Sequence, residues 1–345
     1  MKIIIASTIV PFIEGGGTFI VDWLEQQLRE YGHQVDTVKI PFSPDYKETL
    51  SQITALRLYN LEDMCDRLIC IRRPAYQIPH PNKYLWFIAH FREIYDLWET
   101  EYDYLPKNSE TLAIRELIMR SDDHAFSEAK KIYTNSKIMS SRLLKFNAVH
   151  SEPLYPPILK PERFRNGGYG DYIYYASRIN RTKRQLLAVQ AMKHTKTDVK
   201  LLLTGKAEDP AYTKEITDCI NENRLDDKVT IINKWITEEQ KIKHLAECLA
   251  AIYIPFDEDS YGYPTLEAHH SNKAVITCTD SGGTDELIIH NENGLILEPN
   301  PEALAECFDM LYENKQIAEK YGAKGLERIK TLDISWDNVI RRFTE

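Results

Sequence analysis

The feature that most constrains the fold is the regular alternation of short apolar runs with helix-period segments along the chain. Ile3-Ile4-Ile5 leads into a helical pattern of apolar residues between Phe19 and Tyr31, and a second apolar run follows from Val35 to Ile40. A strand, a helix and another strand in this order are typical of a parallel sheet covered by helices. Further strands are expected at 68–71, 84–88, 131–134, 172–176, 200–203, 229–232, 251–254, 274–277 and 294–297.

Two segments rich in proline and glycine interrupt this alternation, namely Leu154-Tyr155-Pro156-Pro157 and Asn166-Gly167-Gly168. Proline and glycine at this density are typical of a linker between domains. A chain of 345 residues is long enough for two domains at about 150 residues each. The sequence therefore predicts two α/β domains, at 1–160 and 161–330, followed by a terminal helix at 331–345.

Composition narrows the possible partners. The net charge is −9, and the sequence contains no block of lysine or arginine residues, so a nucleic-acid binder is not expected. The six cysteines form no C-x-x-C pair and match no zinc spacing, so they are interpreted as reduced thiols. No signal peptide and no membrane-spanning stretch is expected. These features predict a cytoplasmic protein, and peripheral contact with the cytosolic face of a membrane stays open.

The first candidate site is the cluster Glu14-Gly15-Gly16-Gly17-Thr18, between the first strand and the first helix. Glycines let a ligand approach the backbone closely, and a helix N-terminus offers free N–H groups to an anion. The spacing is not G-x-G-x-x-G, which argues against a nicotinamide dinucleotide. Ligand contact at Gly16 and Gly17 is predicted, with a tight turn that binds nothing as the alternative.

The second candidate is the basic segment Ser177 to Arg184, which connects a strand to a helix. Arg178 offers a bidentate fork and Lys183 a point charge, a combination that suits a pyrophosphate. A solvated basic turn is the alternative.

The third candidate runs from Pro255 to Ala268 and places two acids, Asp259 and Glu267, on either side of a glycine loop. Pro264 is expected as the first residue of a helix, whose N-terminus suits a phosphate. Glu267, one turn into that helix, is placed to accept hydrogen bonds from two hydroxyls. An ordinary capped helix start with exposed acids is the alternative.

Asp259-x7-Glu267, with Gly262 and Pro264, resembles the E-x7-E region of glycosyltransferase family 4, usually E-G-F-G-x-P-x-x-E-A. Asp259 replaces the first glutamate and Ser260 the first glycine. Other segments that resemble the family, in order, are 88–90, 95–98, 134–136, Arg178-x4-Lys183, 201–205, 281–286 and Trp336. The resemblance covers nearly the whole chain.

This resemblance implies a GT-B fold, in which two Rossmann-like domains face each other across a cleft and the C-terminal helix crosses back to the N-terminal domain. It also implies that the second domain binds a nucleotide-sugar donor, that the first lies on the acceptor side, and that transfer retains the anomeric configuration. No metal and no cofactor are expected, because cationic side chains hold the diphosphate.

Carried over residue by residue, the resemblance implies four catalytic residues: His90, Arg178, Lys183 and Asp259. The nucleotide and diphosphate would contact Gly16, Gly17, Arg178, Lys183, Gly205, Trp235, Ile236, Thr265, Leu266 and Glu267. The transferred sugar would contact His90, Asp259, Ser260, Tyr261, Gly262 and Tyr263. The change from glutamate to aspartate at Asp259 shortens its reach by one methylene.

Asp257-Glu258-Asp259 is also a D-x-D string, the metal motif of a different glycosyltransferase fold. We expect no metal here, because a magnesium site would make Lys183 redundant. The predicted activity is transfer of a hexose from a UDP-sugar, UDP-glucose first, to a glycan or lipid-linked acceptor in polysaccharide biosynthesis. The alternatives are a nucleotide-sugar epimerase and a nucleotide-sugar-binding protein without catalysis.

Overall fold

The computed structural model describes residues 1–11, 16–100 and 103–345. The chain divides into two compact units: Met1–Pro156 together with Ile334–Glu345, and Pro157–Asp333. Each unit contains one parallel six-stranded sheet. The prediction of two Rossmann-like α/β units is therefore confirmed, and the C-terminal helix belongs to the N-terminal unit.

The N-terminal unit has its strands in the order β2-β1-β3-β4-β5-β6. The strands are β1 (Lys2–Ile9), β2 (Gln34–Pro41), β3 (Arg67–Cys70), β4 (Lys83–Phe87), β5 (Lys131–Thr134) and β6 (Glu152–Pro153). The helices are α1 (Gly16–Glu30), α2 (Tyr46–Arg57), α3 (Ser109–Ser127) and α4 (Lys137–Asn147). β1 is buried along most of its length because helices cover both faces of a parallel sheet.

The C-terminal unit has the strand order β12-β11-β10-β7-β8-β9. Its strands are β7 (Tyr172–Ala176), β8 (Lys200–Thr204), β9 (Val229–Ile232), β10 (Ala250–Ile252), β11 (Val275–Cys278) and β12 (Gly294–Leu297). Its helices are α5 (Gln185–Met192), α6 (Pro210–Glu222), α7 (Glu238–Glu247), α8 (Tyr263–His270), α9 (Pro301–Glu313) and α10 (Lys315–Thr331).

Each sheet has a point at which the order of strands reverses. In the N-terminal unit the reversal falls between β1 and β3, and in the C-terminal unit it falls between β7 and β10. Helices leave the two strands on opposite faces at such a point, which opens a crevice at the carboxyl ends where ligands bind.

The last helix, α11 (Trp336–Thr344), completes the core of the N-terminal unit. Its apolar residues recur at helical spacing, and Ser335 caps its first turn. Trp336 meets the ring of Trp86 edge to face at 6.4 Å, and Phe343 lies 5.4 Å from the same ring. The burial of these aromatic rings attaches the C-terminal segment to β4.

All six cysteines are present as free thiols. In the described part of the chain, no helix combines the length and the apolar character needed to cross a bilayer.

Candidate functional site

The basic turn after β7 lies at the strand reversal of the C-terminal unit. Asn180 caps the short 3₁₀ turn Arg181–Lys183, since its side-chain oxygen accepts a hydrogen bond from the Lys183 backbone N–H at 3.1 Å. The Lys183 side chain is only 11% exposed. It donates to the Tyr253 hydroxyl at 2.8 Å and forms an ion pair with Glu258. Lys183 is thus directed at the loop that follows β10, across the point of reversal.

Arg178, on the same turn, has an exposed side chain with a carboxylate partner. Its Nη1 lies 2.5 Å from Oε1 of Glu208, whose other oxygen accepts from Asn180 at 2.6 Å. An anionic ligand at Arg178 would have to share or displace Glu208.

Arg184 ties the basic turn to two neighbouring loops. Its guanidinium binds Asp280 through two bonds, of 2.6 and 2.7 Å, and donates to the carbonyls of Ile254 and Pro255. Its backbone is left-handed, with φ of 55°, and the helix that follows the basic turn begins at Gln185. This structural role was not foreseen from the sequence.

The loop after β10 is braced by the turn at residues 281–283. The Glu258 carbonyl accepts from the Gly283 N–H at 2.9 Å, and the Glu258 N–H donates to the Ser281 carbonyl at 3.3 Å. Gly282 has φ of 66°, and a Cβ there would lie 2.3 Å from the Glu258 carbonyl oxygen. Only glycine permits both this conformation and this approach.

Gly262 is the N-cap of α8, with φ of 73°. A Cβ at this position would lie 2.4 Å from the Tyr253 ring. The helix begins at Tyr263, so Pro264 is its second residue. The prediction that Pro264 is the first residue of the helix is therefore wrong. The Thr265 hydroxyl donates to the carbonyls of Tyr261 and Gly262, both at 2.8 Å.

The residues predicted to contact the donor around this helix start differ in exposure. Tyr261, Thr265 and Leu266 are buried, which leaves their backbone groups as possible ligand contacts. Asp259, Ser260 and Tyr263 are partly exposed.

Glu267 is buried, with 5% of the residue exposed. Its Oε1 accepts from Lys241 at 2.6 Å, and Lys241 also pairs with Glu238 at 2.9 Å. Burial raises the pKa of the Glu267 carboxyl, and Lys241 opposes that rise. Lys241 could not be identified from the sequence as the partner of Glu267, because it lies on another helix, 26 positions before Glu267.

Lys241 follows a segment that was predicted to contact the nucleotide. Trp235 is 54% exposed and Ile236 is half-buried, and both precede α7. Thr237 and Gln240 form a capping box at the start of that helix.

Gly205 lies where the backbones after β7 and β8 touch. Its φ is 155°, and a Cβ would fall 1.8 Å from the Ser177 carbonyl oxygen. Glycine is required here for packing, whether or not a ligand also approaches.

Several of these groups act on one another electrostatically at the carboxyl edge of the C-terminal sheet. Burial raises the pKa of the Tyr253 hydroxyl, Glu258 and Asp259 raise it further, and Arg178 lowers it. The Tyr253 hydroxyl also bonds to Lys183 and to Glu258. Sequence reasoning overlooked this residue, which follows β10.

The D-x-D string does not form a cluster of carboxylates. Glu258 binds Lys183 and the Tyr253 hydroxyl. Throughout residues 1–11, 16–100 and 103–345, no three His, Cys, Asp or Glu side chains are arranged to hold a metal ion.

Two predicted donor contacts, Gly16 and Gly17, belong to the N-terminal unit. They are the first two residues of α1 and not part of a loop before it. Glu14 and Gly15, from the same cluster, lie outside the described residues. A Cβ on Gly17 would lie 3.4 Å from Nε of Arg72, which is an ordinary contact.

His90 lies three residues beyond β4 and is 1% exposed. Its ring packs against Phe87, Tyr95 and Phe146, with centroid distances of 4.8, 4.3 and 5.8 Å. Nε2 lies 2.9 Å from Oδ1 of Asn147, whereas Nδ1 is buried without a hydrogen-bond partner among the described residues. Burial lowers the pKa of His90 to about 4, so the ring is neutral near pH 7. Its role toward a sugar stays a prediction.

Residues 161–328 match the family described as glycosyl transferases group 1. The human alpha-1,3/1,6-mannosyltransferase ALG2 is 24% identical over 295 residues, which are 77% of this chain and 68% of that protein. A Campylobacter jejuni N-acetylgalactosaminyltransferase that acts on a diphospho-undecaprenol-linked sugar is 25% identical over 164 residues, 47% of this chain and 43% of that protein.

Solved structures share the architecture of the whole chain. The sucrose-phosphate synthase of Thermosynechococcus elongatus aligns over 98% of this chain and 96% of its own, with a TM-score of 0.78 and 17% identity. Anabaena Alr3699/HepE, solved in complex with UDP and glucose, aligns over 98% and 97%, with a TM-score of 0.70 and 12% identity. At these identities the likeness shows the fold, which is GT-B. The match of residues 161–328 to glycosyl transferases group 1 identifies this chain as a glycosyltransferase.

Proposed function

We propose that this glycosyltransferase moves a hexose from a UDP-sugar, UDP-glucose first, to a glycan or lipid-linked acceptor, with retention of configuration and without a metal ion. The observation that carries the proposal is the position of Lys183 at the strand reversal of the C-terminal unit. This side chain is directed at the loop before α8, and the free N–H groups of a helix start suit a phosphate.

In this proposal the C-terminal unit binds the donor. Lys183 and Arg178 hold the diphosphate, and Glu267, oriented by Lys241, accepts hydrogen bonds from the ribose hydroxyls. The exposed indole of Trp235, with Ile236, lies beside the base. Backbone groups of residues 261–263, with Asp259 and Ser260, contact the hexose.

The reaction does not require a general acid, because the leaving group is a nucleoside diphosphate. The bond from the anomeric carbon to the diphosphate breaks, and the nucleoside diphosphate leaves with the electron pair. An acceptor hydroxyl attacks from the face that is being vacated and gives its proton to an oxygen of the leaving diphosphate. Preorganised charge at the leaving group lowers the barrier by roughly 3 to 4 kcal/mol per group. We assign this role to Lys183.

Two comparisons bear on the choice of donor. The uridine and glucose assignment follows the frequency of these donors among similar enzymes, and the HepE structures contain UDP and glucose. The ALG2 relatives, in contrast, are named as mannosyltransferases.

A donor screen tests the proposal directly. We expect UDP-glucose to raise the melting temperature more than GDP- or ADP-sugars, and transfer to continue in EDTA. Stabilisation by GDP- or ADP-sugars alone would refute the donor assignment. Activity lost in EDTA and restored by magnesium or manganese would refute metal independence. Conversion of the donor alone into an epimer would identify an epimerase.

A further inference from the structure

The ion pair between Lys183 and Glu258 puts a carboxylate on the cation to which we assign the diphosphate. The Lys183 ammonium contacts the Glu258 carboxylate directly. The Tyr253 hydroxyl accepts from Lys183 at 2.8 Å and donates to Oε2 of Glu258 at 3.0 Å. Tyr253 is 4% exposed, so its hydroxyl links the two charged groups on their buried side.

This ion pair is better shielded from water than the neighbouring one. The side chains of Lys183 and Glu258 are 11% and 25% exposed, whereas those of Arg178 and Glu208 are 43% and 40% exposed. Interactions between charges are weakened by water and are stronger where less water reaches them. The charge of Glu258 therefore acts more strongly on a ligand at Lys183 than the charge of Glu208 acts on a ligand at Arg178.

The backbone of the loop that carries Glu258 is bonded to its neighbours. The Phe256 N–H donates to the Thr182 carbonyl at 2.7 Å, next to Lys183 on the basic turn. The N–H and the carbonyl of Glu258 both bond to the turn at residues 281–283. Rotation of the Glu258 side chain can release Lys183, but the loop keeps the carboxylate at a distance comparable to the Debye length of about 8 Å.

A carboxylate that stays near Lys183 discriminates between the donor and the product of the proposed reaction. The terminal phosphate of a free nucleoside diphosphate carries a charge of about −1.5 to −2 at pH 7, whereas the same phosphate esterified to a sugar carries about −1. The product therefore brings more negative charge to the neighbourhood of Glu258 than the donor does.

We propose that Glu258 competes with the diphosphate for Lys183 and so promotes release of the nucleoside diphosphate product. This inference rests on the proposed transfer from a nucleotide sugar. Glu258 acts through Lys183 and is a positioning residue, not a catalytic one. Its carboxylate weakens the affinity for the product more than the affinity for the donor, because repulsion grows with the charge of the ligand.

The affinities of UDP and UDP-glucose for wild type and E258Q, measured by calorimetry, test this role. E258Q keeps the size of the side chain and an oxygen that can accept from Lys183, but removes the charge. We expect E258Q to bind UDP roughly tenfold more tightly and UDP-glucose at most about threefold more tightly. In steady-state transfer, the inhibition constant of UDP should fall by the same factor as its Kd.

The matched control is E215Q. It removes the same charge from the partner of Arg181, on the same basic turn, where the carboxylate is 45% exposed. E215Q should bind both ligands like wild type. An E258Q variant that binds UDP no more tightly than wild type, or that tightens UDP and UDP-glucose by the same factor, would overturn the proposal.

Two further measurements keep the test decisive. If E258Q does not fold, E258D withdraws the carboxylate by one methylene and should bind UDP several-fold more tightly than wild type; unchanged binding would refute the role. If neither UDP nor UDP-glucose raises the melting temperature of wild type, the donor assignment fails. Inorganic pyrophosphate then replaces both ligands, and tighter binding to E258Q than to wild type and E215Q is still expected, whereas equal binding to all three would exclude competition at Lys183.

Discussion

At the scale of single residues, Lys183 is held in place and not merely solvated. It is mostly buried, and its ammonium contacts Glu258 and the Tyr253 hydroxyl. We expect Lys183→Ala to lower turnover roughly a hundredfold, the scale for removing one group that stabilises developing charge. Arg181→Ala is the matched control, because Arg181 lies on the same turn, 52% exposed, and pairs with Glu215. Exposed pairs of that kind contribute little.

Steady-state rates of Lys183→Ala and Arg181→Ala with a saturating donor test this prediction. An equal loss in both would mean that the fold of the turn matters and not the cation. A rate near that of wild type for Lys183→Ala would show that the basic turn is a solvated surface without a role in transfer.

His90 offers a second test at this scale. His90→Phe keeps an aromatic ring among Phe87, Tyr95 and Phe146 but removes Nδ1, the atom without a described partner. We expect kcat to fall roughly tenfold, as for one lost hydrogen bond in the transition state, with UDP affinity unchanged. An unchanged kcat with lower thermal stability would show that the histidine is structural.

Residue types in the candidate site could be predicted from the sequence, but their partners could not. Arg178, Lys183 and Glu267 stand out because charge follows a strand or a helix start. The carboxylate that holds Arg184, Asp280, lies 96 positions away, and Lys241 reaches Glu267 from another helix. Contacts of this kind exist only once the sheet has brought its loops to one edge.

At the scale of elements, strands were predicted better than helices. Four strands, at 131–134, 172–176, 229–232 and 294–297, have the expected bounds, because short β-branched runs bounded by polar residues give a clear signal. α2, α4, α9 and α10 were not predicted. In α2 only Thr49, Ile53 and Leu56 are buried, too few for a clear helical period. β6 has two residues, one of them Pro153.

Glycines with and without room for a Cβ should respond differently to substitution by alanine. Gly17 lies inside α1 with room for a Cβ, so Gly17→Ala should leave stability unchanged or raise it by up to about 1 kcal/mol. If Gly17 contacts the donor, as predicted from the sequence, donor affinity should nevertheless fall several-fold. Gly282→Ala places a Cβ 2.3 Å from the Glu258 carbonyl oxygen, and should lower both stability and turnover.

Chemical denaturation and donor titration of both variants separate these effects. Full donor affinity and turnover in Gly17→Ala would show that the start of α1 packs without contacting a ligand. Wild-type stability of Gly282→Ala would contradict the bracing that we describe for the loop after β10.

At the scale of the whole molecule, the alternation of strands and helices predicted two sheets. The break in that alternation led us to expect a boundary between residues 160 and 161. The chain leaves the N-terminal unit at Pro156 and enters the C-terminal unit at Pro157, within the proline-rich segment. The order of strands in each sheet could not be read from local patterns, because it depends on which crossovers run to the left or right of the first strand. That order creates the reversal in the C-terminal unit on which the proposed donor site depends.

The balance of buried titratable groups predicts how the stability of the molecule depends on pH. Burial lowers the pKa of His90, His269 and His270 to about 4, against an ordinary value near 6.5. A histidine of this kind stabilises the fold fully above pH 6.5, and that contribution is lost as the pH falls toward 4. Asp122, with its pKa raised to about 7, acts in the opposite sense, because its burial costs stability as the pH rises from 4 to 7. Burial also raises the pKa of Glu267.

The three histidines outnumber the two acids. We therefore expect the urea midpoint of unfolding to decrease as the pH is lowered from 7 to 5. The corresponding loss of unfolding free energy is on the order of 1 kcal/mol for each unopposed histidine. This window excludes Glu128, whose pKa is lowered to about 2 by hydrogen bonds from Arg57 and Lys83 and which titrates only in stronger acid. Asp122→Asn is the matched variant. It keeps the size of the side chain but removes the opposing titration, so its midpoint should fall more steeply than that of wild type over the same window. A midpoint that rises on acidification, or an identical slope in Asp122→Asn, would show that these groups are not buried in the charge states inferred from the structure.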